Sequence, residues 1–174
     1  AARWISSHTS QQCEAPAKWR GPHAFPDAYS DVMQRAKVLA RLVAVLLSGV
    51  IAFQAALVAG APWGEYTQGG HVTGELPAAG RVMAMISIAV LVIFALSILA
   101  VTDQGPLRSA RRTLVRKVGY AAAAYSAVGV LLNGISRSTA ERNLWTPVTL
   151  VGFVLMIQVL RLTRDSEWPS QTPL

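Results

Sequence analysis

The chain is short of charged residues. Asp, Glu, Lys and Arg make up 14% of its 174 residues, well under the roughly 25% typical of soluble domains. They are absent from four long windows, residues 42–64, 82–102, 118–136 and 143–160. Each window is close to the roughly 20 residues that a helix needs to cross a hydrocarbon core about 30 Å thick. These gaps exclude a disordered chain, a nucleic-acid module and an ordinary soluble enzyme.

Cysteine is nearly absent too. The single Cys13 excludes an internal disulfide and any Cys-x-x-Cys redox or zinc motif. His8, Cys13 and His23 share the N-terminal region, but their spacing matches none of the usual zinc patterns. The sequence therefore predicts no metal site and no cofactor.

Recognised catalytic motifs are also missing. The chain has no Gly-rich phosphate loop, no His-Glu-x-x-His and no Gly-x-Ser-x-Gly. No Asp, Glu, Lys or His lies in the middle of an apolar window, whereas proton-coupled transporters usually need such a group there. The polar Gln54 and Asn133 do lie inside windows, towards the ends that we predict to be outer. Interhelical hydrogen bonding is the more ordinary role for them, and ligand contact is the alternative.

The four windows predict an all-α protein, a four-helix antiparallel transmembrane bundle with a flexible N-terminal tail. Residues 1–32 are polar and carry three prolines, so they are predicted to be a mobile tail. Residues 33–164 form the membrane domain, and residues 165–174 are a short C-terminal tail. The third helix is rich in Gly, Ala and Ser, so we predict that it packs centrally. The four spans are predicted at about residues 40–60, 82–102, 118–136 and 144–161.

Two features near the first span allow other interpretations. Met33 stands just before the first basic and apolar run, so it is a candidate start of the native protein. Ala59-Gly60-Ala61 imitates a signal-peptide cleavage site, but the apolar stretch before it exceeds the usual core of roughly 7–15 residues. We therefore interpret this stretch as an uncleaved span.

Basic residues predict the orientation in the membrane. Ten of them near span ends fall on one side and three on the other, which places both termini and the middle loop in the cytoplasm of a plasma-membrane protein. The middle-loop group is also a candidate lipid-headgroup patch. The ten are Arg35, Lys37, Arg41, Arg108, Arg111, Arg112, Arg116, Lys117, Arg161 and Arg164, and the three are Arg81, Arg137 and Arg142.

The two predicted outer loops hold most of the residues that could bind a ligand. Gly and Pro density in the first loop indicates specific turns, and aromatic residues in both suit a membrane interface. The ordinary interpretation is an aromatic belt with ordered loops. The sharper one is a binding cluster over the bundle mouth. Its members would be Trp63, Glu65, His71, Glu75, Arg81, Arg137, Glu141, Arg142 and Trp145.

The same loops resemble a family of small four-span integral membrane proteins common in actinobacteria. The shared pattern consists of Gly-Ala-Pro-Trp-Gly at residues 60–64, Gly69-Gly70, Leu76-Pro77, Arg81, Ser136 and Glu141-Arg142-x-Leu-Trp-x-Pro. The similarity spans residues 33–161. It implies the four-span architecture and implies no activity.

Together these patterns favour a non-enzymatic integral membrane protein, an accessory or scaffold protein or a binder of a small ligand. Its expected partners are the lipid bilayer and a membrane protein or a second copy of itself, and no nucleic acid. The alternative is a membrane-embedded enzyme or carrier for a lipid-like molecule. Glu65, His71 or Glu75 would then be the acid or base, and Arg137 and Arg142 would hold an anionic headgroup.

Overall fold

The protein is all-helical throughout the part of the chain described by the computed structural model, residues 24–165, with side chains described for residues 29–164. Four α-helices are present there: α1 (Ala24–Val58), α2 (Ala78–Val101), α3 (Arg112–Gly134) and α4 (Thr139–Asp165). Two short 3-10 helices, Gly64–Tyr66 and Gln68–Gly70, lie between α1 and α2. No strand occurs in residues 24–165. The all-α prediction is confirmed.

Three of the described helices are long and apolar enough to cross a membrane. They are Tyr29–Val58 within α1, all of α2, and Thr139–Arg164 within α4. α3 is of similar length, but it contains more Gly, Ala, Ser and Tyr and begins with Arg112, Arg116 and Lys117. Length and composition therefore identify three of the four predicted spans.

The helices pack around a common apolar core. α1 packs against α2 and α4, and α3 packs against the same two helices from the other side. Val43, Ile98, Met156 and Leu160 are fully buried at their centre. Many large apolar side chains point outward, and Ile135 is 78% exposed. A bundle with this much exposed apolar surface is suited to a lipid environment.

The prediction that α3 packs centrally is wrong. α2 and α4 contact each other and both remaining helices, whereas α3 mainly contacts α2 and α4. Its small residues do form a packing face, because Gly119, Ala122 and Ala123 are buried. The opposite face carries exposed Tyr and Leu side chains. Small residues allow close approach on one face only, and they do not place a helix at the centre.

A substitution on the buried face of α3 tests whether this face packs against the other helices. Ala123 is buried and Ala124, the next residue, is exposed. We expect Ala123→Leu to lower the free energy of unfolding by about 1–3 kcal/mol, since extra methyl groups overfill the contact. Ala124→Leu is the matched control and should leave the melting temperature in detergent unchanged. Equal melting temperatures for the two variants would show that the Ala123 face does not pack.

α1 and α3 begin earlier than the sequence predicts. α1 begins at Ala24 rather than near Val32, and α3 begins at Arg112 rather than at Val118. The latter start follows from packing, since Val115 is buried on the same face as Gly119 and Ala122. Arg116 and Lys117 therefore lie on a helix and not in the middle loop.

α4 also begins earlier, at Thr139 rather than near Leu144. As a result, Pro147 lies inside the helix and not near its start. Having no N–H, Pro147 leaves the carbonyl of Asn143 without its helical donor. The early start is set by the capping of the first turn, described below. Residues 24–32, predicted as part of the mobile tail, are helical. The rest of the tail predictions, including those for His8, Cys13 and His23, fall on residues 1–23 and 166–174, outside the described residues.

Candidate functional site

One end of the bundle is closed by what we call the loop cap. It comprises the α1–α2 loop, residues 59–77, and the α3–α4 turn with the first residues of α4, residues 135–145. Hydrogen bonds join these two segments although they are far apart in the chain. Ser138 Oγ donates to the Glu65 carbonyl at 2.8 Å, and Trp145 Nε1 donates to the Tyr66 carbonyl at 2.5 Å. The α1–α2 loop is thus fixed onto the start of α4.

The start of α4 is capped by its own side chains. Ser138 precedes the helix, and its Oγ accepts the backbone N–H of Glu141 at 3.1 Å. A Ser followed three residues later by Glu is a capping box, in which the Glu normally accepts the Ser N–H in return. Here the return bond passes through Ser136. The Ser138 N–H donates to Ser136 Oγ at 3.3 Å, and the Ser136 hydroxyl donates to Glu141 Oε2 at 2.5 Å.

Glu141 also connects the two segments of the loop cap. Its Oε1 accepts the backbone N–H of Gly69, from the α1–α2 loop, at 3.2 Å. The residue is only 8% exposed, although carboxylates are rarely buried without partners. Its position in the first turn of α4 adds a favourable interaction with the helix dipole. Glu141 is therefore the central polar residue of the loop cap.

Aromatic rings form the apolar side of the cap. Phe53, on α1, stacks on Trp63 with ring centroids 5.8 Å apart and meets Trp145 edge to face at 4.8 Å. The three rings link α1, the loop and α4. Such pairs contribute about 0.5–1.5 kcal/mol beyond the apolar area that they bury.

Glu75 and Arg81 lie apart from Glu141, beside the end of α1. Their side chains form an ion pair of 2.7 Å, and Arg81 Nε donates to the Leu76 carbonyl at 3.0 Å. Gly60 lies next to both side chains. Because Glu75 is 62% exposed, water screens the pair. It fixes the start of α2 beside the end of α1.

A substitution tests whether this pair stabilises the fold. We expect Glu75→Gln to change the free energy of unfolding by less than about 1 kcal/mol, since exposed pairs contribute little. Arg81→Ala should cost more, because it also removes the bond to Leu76. Chemical unfolding in detergent would measure both variants. A larger loss for Glu75→Gln than for Arg81→Ala would contradict this order.

The structure brings some of the other predicted residues together and leaves others apart. His71 and Arg137 border an open pocket of about 540 Å³ together with Glu141, and this pocket shares Leu132, Asn133 and Glu141 with the cavity described next. The Glu65 side chain is exposed, and its backbone carbonyl makes the bond to Ser138. Arg142 Nη1 donates to the Ser136 carbonyl at 3.1 Å. Glu65 and Arg142 line neither this pocket nor the cavity described next.

A smaller but more enclosed cavity, which we call the main cavity, lies below the cap, among all four helices. Its volume is about 260 Å³, larger than the roughly 150 Å³ of an engineered apolar cavity that admits benzene. Most of the lining is apolar, including Val50, Phe94 and Val128. The polar groups are Glu141 and Thr67 of the cap, together with Gln54, Asn133 and a few Ser, Thr and Tyr side chains.

Gln54 and Asn133 both face this cavity. They come from α1 and α3, and interhelical hydrogen bonding was the more ordinary role predicted for each. Within residues 29–164 neither side-chain amide makes a hydrogen bond to another protein group. Both amides are partly exposed. They are available to a ligand.

The opposite end of the bundle holds the α2–α3 loop. Gln104 fixes this loop onto α1, since its Oε1 accepts from Arg41 Nε at 2.7 Å and its Nε2 donates to the Lys37 carbonyl at 3.2 Å. Arg112 lies 3.8 Å from Asp103. Arg108, Arg111 and Lys117 are exposed at the same end, and Arg116 is half-buried.

Several residues of the cap were not predicted as functional. Ser138 and Ser136 complete the polar network around Glu141, and Gln104 performs the corresponding role at the other end. Ser138-x-x-Glu141 is a capping-box signal that is visible in the sequence. Gln104 carries no such signal, because its partners are more than 60 residues away in the chain.

Known proteins give no further guide to this site. Comparison with protein families, with curated proteins and with solved structures finds no match for the chain. The function must therefore be argued from the cavity and the loop cap.

Proposed function

We propose that the protein is a four-span integral membrane protein in which α3 is the fourth span. α3 has 23 residues, about 34 Å at 1.5 Å per residue. It packs between α2 and α4, both of which can cross a membrane. The loop before it contacts α1 at one end of the bundle, and the turn after it contacts the α1–α2 loop at the other. These contacts favour an antiparallel arrangement.

The orientation follows from the basic residues. Arg108, Arg111 and Lys117 lie at the end opposite the loop cap, so the positive-inside rule places that end in the cytoplasm. The same proposal places the protein in the plasma membrane with both termini in the cytoplasm. Lipid headgroups would be the partners of these exposed cations. A relation to the actinobacterial four-span family remains part of this proposal.

We further propose that the protein binds a small ligand in the main cavity and catalyses no reaction on it. The carrying observation is an apolar cavity among four helices whose free amides, Gln54 and Asn133, are gathered at one end. Ligand sites are mostly apolar with a few placed polar groups. An enzyme with Glu65 or His71 as acid or base is less favoured, since neither side chain lines this cavity.

The test is purification with lipid retained, followed by native mass spectrometry. We expect a bound small molecule at a stoichiometry near one, and a loss of at least tenfold in occupancy in a Gln54→Leu/Asn133→Leu variant. Gln158→Leu is the matched control, because Gln158 is exposed on α4 and does not line the cavity. An unoccupied cavity in the parent, or equal occupancy in all variants, would contradict ligand binding. A stoichiometric protein partner without a small molecule would favour the scaffold role.

A further inference from the structure

The cavity has a side opening between α2 and α3. In α3 the buried residues run from Val115 to Ser126, and none of residues 127–134 is buried. Val128 and Leu132 line the cavity and yet are 51% and 60% exposed. A side chain that is both cavity lining and outer surface marks an opening. This opening lies in the half of α3 nearest the loop cap.

α2 explains why the opening exists. Near the loop cap its buried Ala84 packs with Leu57 and Leu76, on the side of α1 and the loop. Gly80 there lies close to Gln68. Farther from the cap, Phe94 and Tyr125 meet edge to face at 5.5 Å and join α2 to α3. The two helices are thus in contact below this ring pair and open above it.

The charge of the cavity limits what can enter. Glu141 is the only charged side chain among the described residues that line it. A carboxylate offers about four acceptor positions, of which Gly69 and Ser136 occupy two. No Lys, Arg or His lines the cavity within the described part of the chain. His71 and Arg137 border the adjoining open pocket and not this cavity. Inside the cavity, Glu141 therefore repels an anionic head and accepts a hydrogen-bond donor.

We propose that the ligand is a lipophile with a donating head, a hydroxyl or an ammonium, which enters from the bilayer between α2 and α3. This rests on the proposed function. The head donates to Glu141 with Gln54 and Asn133 beside it, and the apolar body lies against Phe94, Val128 and Leu132. Val128 and Leu132 line the cavity and are exposed on the outer surface of α3, which faces lipid in the proposed bundle, so the bilayer supplies the ligand.

Three probes of equal chain length test the head group. Hexadecanol, hexadecylamine and hexadecanoic acid are titrated into the purified full chain in nanodiscs, and saturable binding is measured by native mass spectrometry. We expect the alcohol and the amine to bind at least tenfold more tightly than the acid. Glu141→Gln should weaken binding of the amine at least tenfold. It should also reduce the difference in affinity between the alcohol and the acid.

A second pair of variants tests the opening without touching the cap. Leu132→Trp should slow association of the alcohol at least fivefold, because it places a larger ring in the opening. Leu131→Trp is the matched control, since Leu131 is exposed on the same helix and does not line the cavity. Equal association rates for the two variants would overturn lateral entry.

The outcomes separate this inference from the proposed function. Equal saturable binding of all three probes would overturn the donor head and leave ligand binding standing. If no probe bound saturably but a small molecule still co-purified, the claim that the ligand is a lipophile would be overturned and ligand binding would stand. No probe binding and no co-purified molecule would overturn both.

Discussion

Replacing Gly70 with Ala should destabilise the protein by about 3 kcal/mol. Gly70 has a φ of +67°, a left-handed conformation that costs an L-residue about 1–2 kcal/mol. A Cβ on Gly70 would also collide with the Cβ of Ser138, the residue that caps α4. The loop would have to move away from α4, which would break the bond from Ser138 to the Glu65 carbonyl. Equilibrium unfolding of Gly70→Ala in detergent micelles measures this loss.

Gly74 offers the matched control. Its φ is +90°, but a Cβ there would meet nothing within 4 Å. Gly74→Ala therefore carries the backbone strain alone, and we expect it to cost about 1–2 kcal/mol. The difference between the two variants measures the close contact between the loop and α4. If both variants lost the same stability, the α1–α2 loop would not be fixed onto Ser138.

Removing the Glu141 carboxylate should lower the free energy of unfolding about as much as Gly70→Ala does. Glu141→Ala leaves the Gly69 N–H and the Ser136 hydroxyl without their acceptor, and each unsatisfied buried donor costs about 1–3 kcal/mol. We expect a total loss of about 3 kcal/mol. Glu141→Gln retains one amide oxygen as an acceptor, so it should lose about half as much. Unfolding under the same conditions compares the two variants.

Glu65→Ala is the control for Glu141→Ala. Glu65 is a neighbouring carboxylate of the cap, but its side chain is exposed. We expect a change within about 0.5 kcal/mol, as for ordinary surface substitutions. A Glu141→Ala protein as stable as Glu65→Ala would mean that the network around Glu141 does not hold the cap together.

Windows free of charged residues predict where the helices lie because a helix that crosses a hydrocarbon core needs a long apolar stretch. The ends are harder. α4 begins at Thr139 because Ser138 and Glu141 cap it, and the apolar window alone begins several residues later. α3 was predicted to be central from its small residues, but Gly119 and Ala123 lie on one face and exposed Tyr120 and Tyr125 on the others.

The site was harder to predict than the helices. Loop sequence identifies Glu141 and Trp145 as candidates, and both belong to the cap. The loop sequence does not show that Glu75 pairs with Arg81, because this pairing depends on how the loop folds back on α1. The cavity could not be predicted either, because it depends on where α2 and α3 diverge in the packed bundle. Gln54 and Asn133 are visible in the sequence, but their common orientation is a property of the packed bundle.

The four-span bundle depends on whether α3 crosses the membrane, and cysteine labelling measures this directly. Single cysteines at Thr73, Ser109 and Thr139, all exposed, are introduced into a Cys13→Ser background and treated with a membrane-impermeant maleimide. On intact cells we expect labelling of Thr73→Cys and Thr139→Cys, with Ser109→Cys labelled only after permeabilisation. Labelling of Ser109→Cys and Thr139→Cys from the same side would show that α3 does not cross the membrane, and would contradict a four-span protein.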